Sequence, residues 1–238
     1  MINEQHFESQ ALMFDALASV CQESLQDALK TKNQASFVVS GGRTPIALFE
    51  RMVEANLPWE KIALALVDER WVPGTHERSN ALLVQNHLLN TLESRGMPTP
   101  QFTGLYHPTE TAAESVAVCE AQYQEIARPF DITLLGMGPD GHTASLFPHA
   151  NGLEHALNTR DTIASIVAQS SEVTGEEIER MTLTRHGILN SKKVVLVVTG
   201  KDKLAVLKTA LKGDDIAEMP VRAILNQNQL SIEVYWAP

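Results

Sequence analysis

Residues 131–148 read DITLLGMGPDGHTASLFP, in which a short apolar run stops at a glycine-rich turn and a histidine follows at once. The run from Ile132 to Leu135 has the length and the bounding turn of a buried strand. Glycines allow the backbone to approach a ligand closely, and His142 adds a titratable side chain at the same point. Ligands bind at the carboxyl ends of strands in open α/β sheets. We therefore expect this segment to form the rim of an active site.

Apolar runs of strand length alternate with stretches of helical periodicity along the rest of the chain. Further strands are predicted at 36–40, 62–67, 162–167, 180–184, 194–198 and 232–235. Helices are predicted at 7–30, 44–53, 80–92, 110–127 and 201–211, and loops at 96–108 and 170–177. Strands that alternate with helices pair in parallel, which predicts an α/β fold with a mostly parallel central sheet flanked by helices. No repeat or linker divides the sequence, and we expect residues 1–238 to form a single domain.

The composition is that of an ordinary globular protein, with 44% hydrophobic and 20% charged residues among 238. A formal net charge of −10 argues against a nucleic-acid partner, because phosphate backbones require a basic surface. A few cations and backbone amides can still bind a small anion. Cys21 and Cys119 lie far apart and lack the spacing of metal ligands. No signal-peptide pattern and no apolar run of about 18 residues is present, so we expect a cytoplasmic protein without a membrane partner.

A second glycine-rich turn, SGGRTP at 40–45, lies between a predicted strand and a predicted helix. Gly41 and Gly42 allow close backbone approach, and a helix that begins at Thr44 presents free N–H groups to an anion. Arg43 adds a positive charge at the same place. The same pattern is also typical of a tight turn that ends in a helix cap, and the residues alone favour neither interpretation.

Charged residues follow the predicted strand 62–67 directly, in the sequence DERWVP at 68–73. The guanidinium of Arg70 can stabilise negative charge through its planar donors, and Asp68 places a carboxylate beside it. An ion-paired loop with a packed tryptophan explains the same residues. Ser79 and Asn80 have the pattern of a helix cap, and they lie near enough in sequence to line the same pocket.

His142, Asp140, Arg180 and Lys203 are also candidates for the site. A histidine such as His142 can act as a general base towards water, and the carboxylate of Asp140 can fix its tautomer. A metal site that adds His149 to this pair has no recognised ligand spacing. Arg180 and Lys203 fall at predicted strand boundaries, where a cation that binds phosphate is expected, although most lysines and arginines are solvated surface charges.

Taken together, these motifs resemble those of the 6-phosphogluconolactonases in the glucosamine-6-phosphate isomerase/deaminase superfamily. The matching segments are SGGRTP at 40–45, DERWVP at 68–73 with SN at 79–80, GMGPDGHTASLFP at 136–148, RMTLT at 180–184 and TGKDK at 199–203. They span most of the chain in the order expected of that family. The resemblance implies a Rossmann-like fold and the hydrolysis of 6-phospho-D-glucono-1,5-lactone in the oxidative pentose phosphate pathway, without a metal or cofactor.

The resemblance also assigns roles. His142 would activate water, Asp140 would orient His142, Arg70 would stabilise the oxyanion or hold the charge of the substrate, and Asp68 matches an acid/base position of the related deaminases. The 6-phosphate would be bound by Gly41, Gly42, Arg43, Thr44, Arg180 and Lys203.

Two alternative functions remain at this point. A sugar-phosphate isomerase or deaminase needs several proton transfers, and the related deaminases carry a glutamate shortly after the histidine where this chain has Phe147. A module that only senses a sugar phosphate would use the same pocket for binding. Such sensors usually accompany a DNA-binding segment, for which the sequence shows no basic face.

Overall fold

In the computed structural model, which describes residues 1–42 and 44–238, ten strands are formed. They are β1 (Ile2–His6), β2 (Ala35–Val39), β3 (Ile62–Leu66), β4 (Asp68–Arg70), β5 (Gln101–Thr103), β6 (Ile132–Gly136), β7 (Ile163–Val167), β8 (Glu179–Leu183), β9 (Val194–Thr199) and β10 (Ile232–Ala237). The helices are α1 (Gln10–Lys32), α2 (Thr44–Val53), α3 (Asn80–Val84), α4 (Asn90–Ser94), α5 (Val116–Gln124), α6 (Leu153–Asn158), α7 (Arg185–Leu189), α8 (Lys201–Lys212) and α9 (Arg222–Leu225). A π-helical turn, Gln85–Leu89, joins α3 to α4.

The main sheet has the order β1-β10-β9-β6-β2-β3-β5, and its pairs are parallel. Its inner strands β2 and β3 are buried along their whole length, because helices cover both faces of a parallel sheet. This confirms the predicted α/β class with a mostly parallel sheet.

The direction in which strands are added reverses between β2 and β6. From β2 the chain adds β3 and then β5 towards one edge, whereas β6 lies on the other side of β2 and leads to β9 and β10. Such a reversal leaves a crevice at the carboxyl ends of the two strands. Here β2 pairs with β6 only at Phe37 with Ile132 and Val38 with Thr133, whereas it pairs with β3 over five residues. The crevice therefore begins beyond Val38 and Thr133, where β2 and β6 are no longer paired.

A second, three-stranded sheet has the antiparallel order β4-β8-β7, which the helix–strand alternation did not predict. The predicted strands at 162–167 and 180–184 form, but they pair with each other rather than in parallel. No helix separates them in the described chain, and strands joined by a loop can run antiparallel. Asp68–Arg70, which the sequence places directly after the strand 62–67 and for which no separate strand was predicted, forms the edge strand β4, so that Arg70 lies opposite Arg180.

The helix predicted at 7–30 begins at Gln10, because the Ser9 side chain accepts a hydrogen bond from the Leu12 N–H and caps it. Residues 7–9 are not helical, and Ile2–His6 before them form the edge strand β1, which was not predicted. Both sheets contribute to one hydrophobic core, which includes Phe37 of the main sheet and Met181 of the small one. In the part of the chain that the structure describes, no helix is long and apolar enough to cross a membrane.

A buried carboxylate, Asp131, ties the start of β6 to its neighbours. It accepts hydrogen bonds from the backbone N–H and the hydroxyl of Ser36, and it lies within 3.0 Å of the ammonium groups of Lys32 and Lys192. Burial alone would raise the pKa of the Asp131 carboxyl, but the bonds from Lys32, Ser36 and Lys192 outweigh it and hold that pKa below its ordinary value. Asp131 therefore stabilises the fold in its ionised form.

We expect Asp131→Asn to lower the free energy of unfolding by about 2 kcal/mol at neutral pH, because hydrogen bonds to a buried charge are lost. A lowered pKa stabilises the native state above the unfolded value of about 3.9, and this contribution is lost as the pH falls through the native value. The difference between wild type and variant should therefore close below about pH 4.

Urea unfolding of both proteins between neutral and acidic pH checks this prediction. The matched control is Asp27→Asn, since Asp27 pairs with Lys30 and both side chains are more than 70% exposed. That change should cost less than about 1 kcal/mol. A pH-independent gap for Asp131→Asn would show that the charge of Asp131 does not stabilise the fold.

Candidate active site

A cleft of about 720 Å³ opens at the carboxyl ends of the main-sheet strands, where the chain direction reverses. Its lining comes from the ends of β2, β6 and β9, the first turns of α1, α2 and α8, the strand β4 and the start of α3. The predicted site residues His142, Asp68, Arg70 and Lys203 all line it. The crevice thus gathers side chains that lie far apart in sequence.

The turn after β6 holds a histidine–aspartate pair. His142 Nδ1 lies 2.5 Å from Asp140 Oδ1, and the His142 backbone N–H donates to the same oxygen at 3.2 Å. The His142 carbonyl accepts from the Gly138 N–H at 2.9 Å, which closes the turn. A Cβ atom on Gly138 would lie 2.0 Å from the His142 ring, so this position requires glycine. The pair is therefore built into one short turn.

The surroundings fix the protonation state and orientation of this pair. Burial opposes ionisation of Asp140, but the hydrogen bond and the charge interaction with His142 outweigh it and hold the pKa of the Asp140 carboxyl below its ordinary value. An ionised Asp140 accepts a hydrogen bond from Nδ1–H, which leaves the lone pair of the neutral imidazole on Nε2. Within residues 1–42 and 44–238, Nε2 forms no hydrogen bond. Phe147 packs against the imidazole with ring centroids 4.3 Å apart.

Asp68 and Arg70 project into the cleft from β4. The Ser145 hydroxyl donates to Asp68 Oδ2 at 2.6 Å, and Asp68 Oδ1 accepts a longer hydrogen bond of 3.4 Å from the Asn80 amide. Arg70 Nη1 donates to the Arg78 carbonyl and to Asn80 Oδ1, each at 2.8 Å. No carboxylate forms a salt bridge with Arg70 among the described residues, so its positive charge remains available to a ligand.

Asn80 connects the two sides of the cleft. Its side-chain amide donates to the Asp68 carbonyl at 2.8 Å while its oxygen accepts from Arg70. A Cβ atom on Gly41 would lie 1.8 Å from Asn80 Oδ1, so the glycine-rich turn after β2 packs directly on this amide. Ser79 caps α3, as predicted, and Asn80 lines the cleft.

The predicted phosphate-binding residues are largely brought together. Gly41, Gly42 and Thr44 line the cleft at the start of α2, and Gly42 has a positive φ of 89°. Arg43 lies outside the described residues. Across the cleft, Lys203 in the first turn of α8 forms no salt bridge within the described chain, and burial lowers the pKa of its ammonium group.

Among the described residues that were predicted to bind phosphate, Arg180 does not line the cleft. Its side chain is 2% exposed, and its Nη2 donates to the Thr174 carbonyl at 3.0 Å. Its guanidinium lies 5.6 Å from the centre of the Phe147 ring, and burial lowers its pKa to about 10. The expectation that Arg180 holds the phosphate is therefore corrected: its donors are directed to backbone carbonyls in a packed layer.

Two buried side chains near the site were not predicted. Ser145 lies three residues after His142, and only the sheet packing shows that it reaches Asp68. Glu69 is fully buried between the two cleft residues of β4, and it accepts from the N-terminus of α3. In the sequence, the short distance between Glu69 and the predicted Ser79–Asn80 helix cap was the signal that could have indicated this contact.

In the described residues no group of three or more His, Cys, Asp or Glu side chains is arranged to hold a metal, and His149 hydrogen-bonds to Glu218 instead.

Comparisons with known proteins agree on one family. Residues 8–236 match the family model of glucosamine-6-phosphate isomerases/6-phosphogluconolactonase. A 6-phosphogluconolactonase of Pseudomonas aeruginosa is 38% identical over 93% of this chain and 89% of its own, and one of Rhizobium meliloti is 37% identical over 99% of each. The crystal structure of a 6-phosphogluconolactonase from Shewanella baltica superposes with a TM-score of 0.93 at 34% identity, covering 100% of this chain and 98% of that one. These findings confirm the resemblance seen in the motifs, and the chain belongs to the glucosamine-6-phosphate isomerase/6-phosphogluconolactonase family.

Proposed function

We propose that this protein hydrolyses 6-phospho-D-glucono-1,5-lactone to 6-phospho-D-gluconate, a step of the oxidative pentose phosphate pathway. The observation that carries the proposal is the Asp140–His142 pair, in which Nε2 of His142 has no hydrogen-bond partner among the described residues and lies at a cleft that also contains Arg70 and Lys203. The names of the relatives support the same substrate. A sugar phosphate is charged and does not cross the apolar core of a membrane, so we place the reaction in the cytoplasm where such substrates are made.

In this mechanism His142 acts as the general base. Its Nε2 takes a proton from a water molecule as the water oxygen attacks the lactone carbonyl carbon. The carbonyl electrons move to oxygen and give a tetrahedral oxyanion. The intermediate collapses when the bond between that carbon and the ring oxygen breaks, and the imidazolium returns its proton to the ring oxygen. The acid product then loses a proton to solvent, while Asp140 holds the imidazole in one tautomer throughout.

Arg70 supplies the positive charge that the oxyanion requires. Its Nη1 is fixed by two acceptors, and the remaining N–H groups of the guanidinium are free to donate into the cleft. A fixed donor does not have to reorganise as charge develops, which is the basis of its contribution to the rate. Asp68 accepts a hydrogen bond from a substrate hydroxyl through Oδ1, whose contact with the Asn80 amide is long at 3.4 Å.

The phosphate lies at the start of α2 in this proposal. The N–H groups of a helix N-terminus bind anions, and Gly41 and Gly42 allow the phosphate to approach the backbone. Lys203 faces this turn across the cleft and adds a charge-assisted hydrogen bond. Burial lowers the pKa of the Lys203 ammonium group, and the negative charge of a bound phosphate would raise that pKa again.

Phe147 favours hydrolysis over isomerisation or deamination. The side chain at this position packs on the His142 ring and is 6% exposed, so the place of the expected acid is occupied by an apolar group. Ring opening and proton shuttling between carbons need a further acid/base residue, whereas hydrolysis of an ester needs one base and an oxyanion donor.

The general-base role predicts that His142→Ala lowers kcat by about 10²- to 10⁴-fold, the usual contribution of a positioned base. The variant should unfold at nearly the wild-type temperature, because the His142 side chain lies at the cleft surface. A coupled assay with freshly made lactone, corrected for spontaneous hydrolysis, measures this loss. His155→Ala, an exposed histidine of α6, is the control and should retain wild-type turnover. Wild-type kcat in His142→Ala would exclude the base assignment.

The phosphate role of Lys203 predicts a loss that depends on the substrate. Lys203→Met should lower kcat/KM for the phosphorylated lactone by roughly 10- to 100-fold, since one charge-assisted hydrogen bond is removed. Hydrolysis of unphosphorylated glucono-1,5-lactone should change little. Lys201→Met is the matched control, because Lys201 begins the same helix and is exposed. An equal loss for both lactones would mean that Lys203 does not recognise the phosphate.

A further inference from the structure

The side chain of Glu69 lies at the centre of a hydrogen-bond cluster that the proposed mechanism does not use. Alternate side chains of a strand point to opposite faces, so Asp68 and Arg70 face the cleft while Glu69 faces away from it. Its side chain is completely buried. Nevertheless it is not paired with a cation in any salt bridge of the described residues. A buried carboxylate needs compensation, and here hydrogen bonds provide it.

Four donors converge on this carboxylate. Oε1 accepts from the backbone N–H groups of Arg70 and Asn80, each at 2.8 Å. Oε2 accepts from the Ala81 N–H at 2.8 Å and from the Ser79 hydroxyl at 3.0 Å. Burial raises the pKa of the Glu69 carboxyl, and these four bonds oppose that rise. Glu69 thereby fastens the first turn of α3 to the backbone of β4.

The residues that Glu69 fastens are the ones that hold the guanidinium of Arg70. Asn80, whose backbone N–H donates to Glu69, uses its side-chain oxygen to accept from Arg70 Nη1. The Arg78 carbonyl, one residue before the cap, accepts from the same nitrogen. Both acceptors therefore depend on where α3 begins. A small displacement of this turn moves the acceptors and with them the donor that faces the oxyanion.

We propose that Glu69 is a positioning residue for the reaction: it sets the orientation of Arg70 in the cleft by fixing the start of α3, and through it Asn80. This inference rests on the proposed function, in which Arg70 stabilises the oxyanion. A carboxylate is required because all four partners donate. Glutamine at the same place would direct an N–H group against N–H donors.

A purely structural carboxylate of the same kind exists elsewhere in the chain. Glu120 Oε2 accepts from the backbone N–H groups of Thr162 and Ile163, each at 2.8 Å, and it does not line the cleft. Glu120→Gln therefore weakens comparable backbone hydrogen bonds without reaching the site, because a neutral amide oxygen replaces the carboxylate oxygen that accepts them. It is the matched control for Glu69→Gln.

Glu69→Gln should lower kcat by about 10- to 100-fold, since displacement of a catalytic donor by about 1 Å has an effect of that size. KM should change less than kcat, because the oxyanion exists only in the transition state. Glu120→Gln should lower the unfolding temperature and keep kcat within about twofold of wild type. Asn80→Ala breaks the link to Arg70 and leaves the donors to Glu69 in place, so it should reproduce the loss if Glu69→Gln does not fold.

The double variant with Arg70→Ala separates positioning from general destabilisation. If Glu69 acts through Arg70, then Glu69→Gln in the Arg70→Ala background should change kcat by less than about twofold. A loss as large as in the wild-type background would overturn the proposal, and so would wild-type kcat in a folded Glu69→Gln protein.

A measurement that does not depend on turnover distinguishes failure of this proposal from failure of the proposed function. The Nε–H resonance of Arg70, assigned with Arg70→Lys, should shift in Glu69→Gln and stay in place in Glu120→Gln. If wild type hydrolyses no lactone, the proposed function fails, while the resonance still decides whether Glu69 positions Arg70. An unmoved resonance in Glu69→Gln overturns the positioning role even if wild type is fully active.

Discussion

The short backbone ladder between β2 and β6 is the constraint on which the site depends. These two strands share only two residue pairs, and beyond them the Ser40 hydroxyl donates to the Leu134 carbonyl at 2.7 Å in place of a backbone bond. Beyond this point the chain continues from β2 towards one edge of the sheet and from β6 towards the other edge. The cleft is the space that this separation leaves, and both glycine-rich turns stand at its border.

The small antiparallel sheet contributes charged side chains to the cleft. The turns that follow the parallel strands β2 and β6 contribute glycines and a histidine. The charged pair of Asp68 and Arg70 comes instead from an edge strand that lies across the opening and pairs with β8. Because Glu69 points away from the cleft, the same three residues serve both the site and the anchoring of α3.

Much of this arrangement could be predicted from the sequence, since local patterns carry it. The apolar run before Gly136 predicted β6, and the position of His142 after it predicted a cleft residue. Arg180 shows where such prediction stops. Its place at a strand end resembles that of a phosphate ligand, but whether a side chain in a strand faces a cleft or a packed layer depends on the partner strand. Nothing local specified that β8 would pair with β4 and β7.

Two short strands were not predicted, for a similar reason. The strand β1 is short and polar, and it exists because β10 offers an edge to pair with. The strand β4 is three charged residues, which no periodicity can identify. In both cases the hydrogen bonds come from segments more than 100 residues away in sequence. The contact between Ser145 and Asp68 likewise appears only when the two sheets are assembled.

The closeness of Asp140 and His142 in sequence has a consequence for how this site can change over time. In the proposed mechanism the base is complete within one turn of three residues, whereas Arg70 lies on a separate sheet, where its backbone N–H donates to Glu69. In the described chain no hydrogen bond joins Asp140 or His142 to Arg70 or Glu69, although Ser145 after the first pair donates to Asp68 beside the second. Residues around Arg70 can therefore be substituted during evolution while the Asp140–His142 pair is retained, and the reverse also holds. A single scaffold of this kind can pass from one sugar-phosphate reaction to another through replacements beside an unaltered histidine.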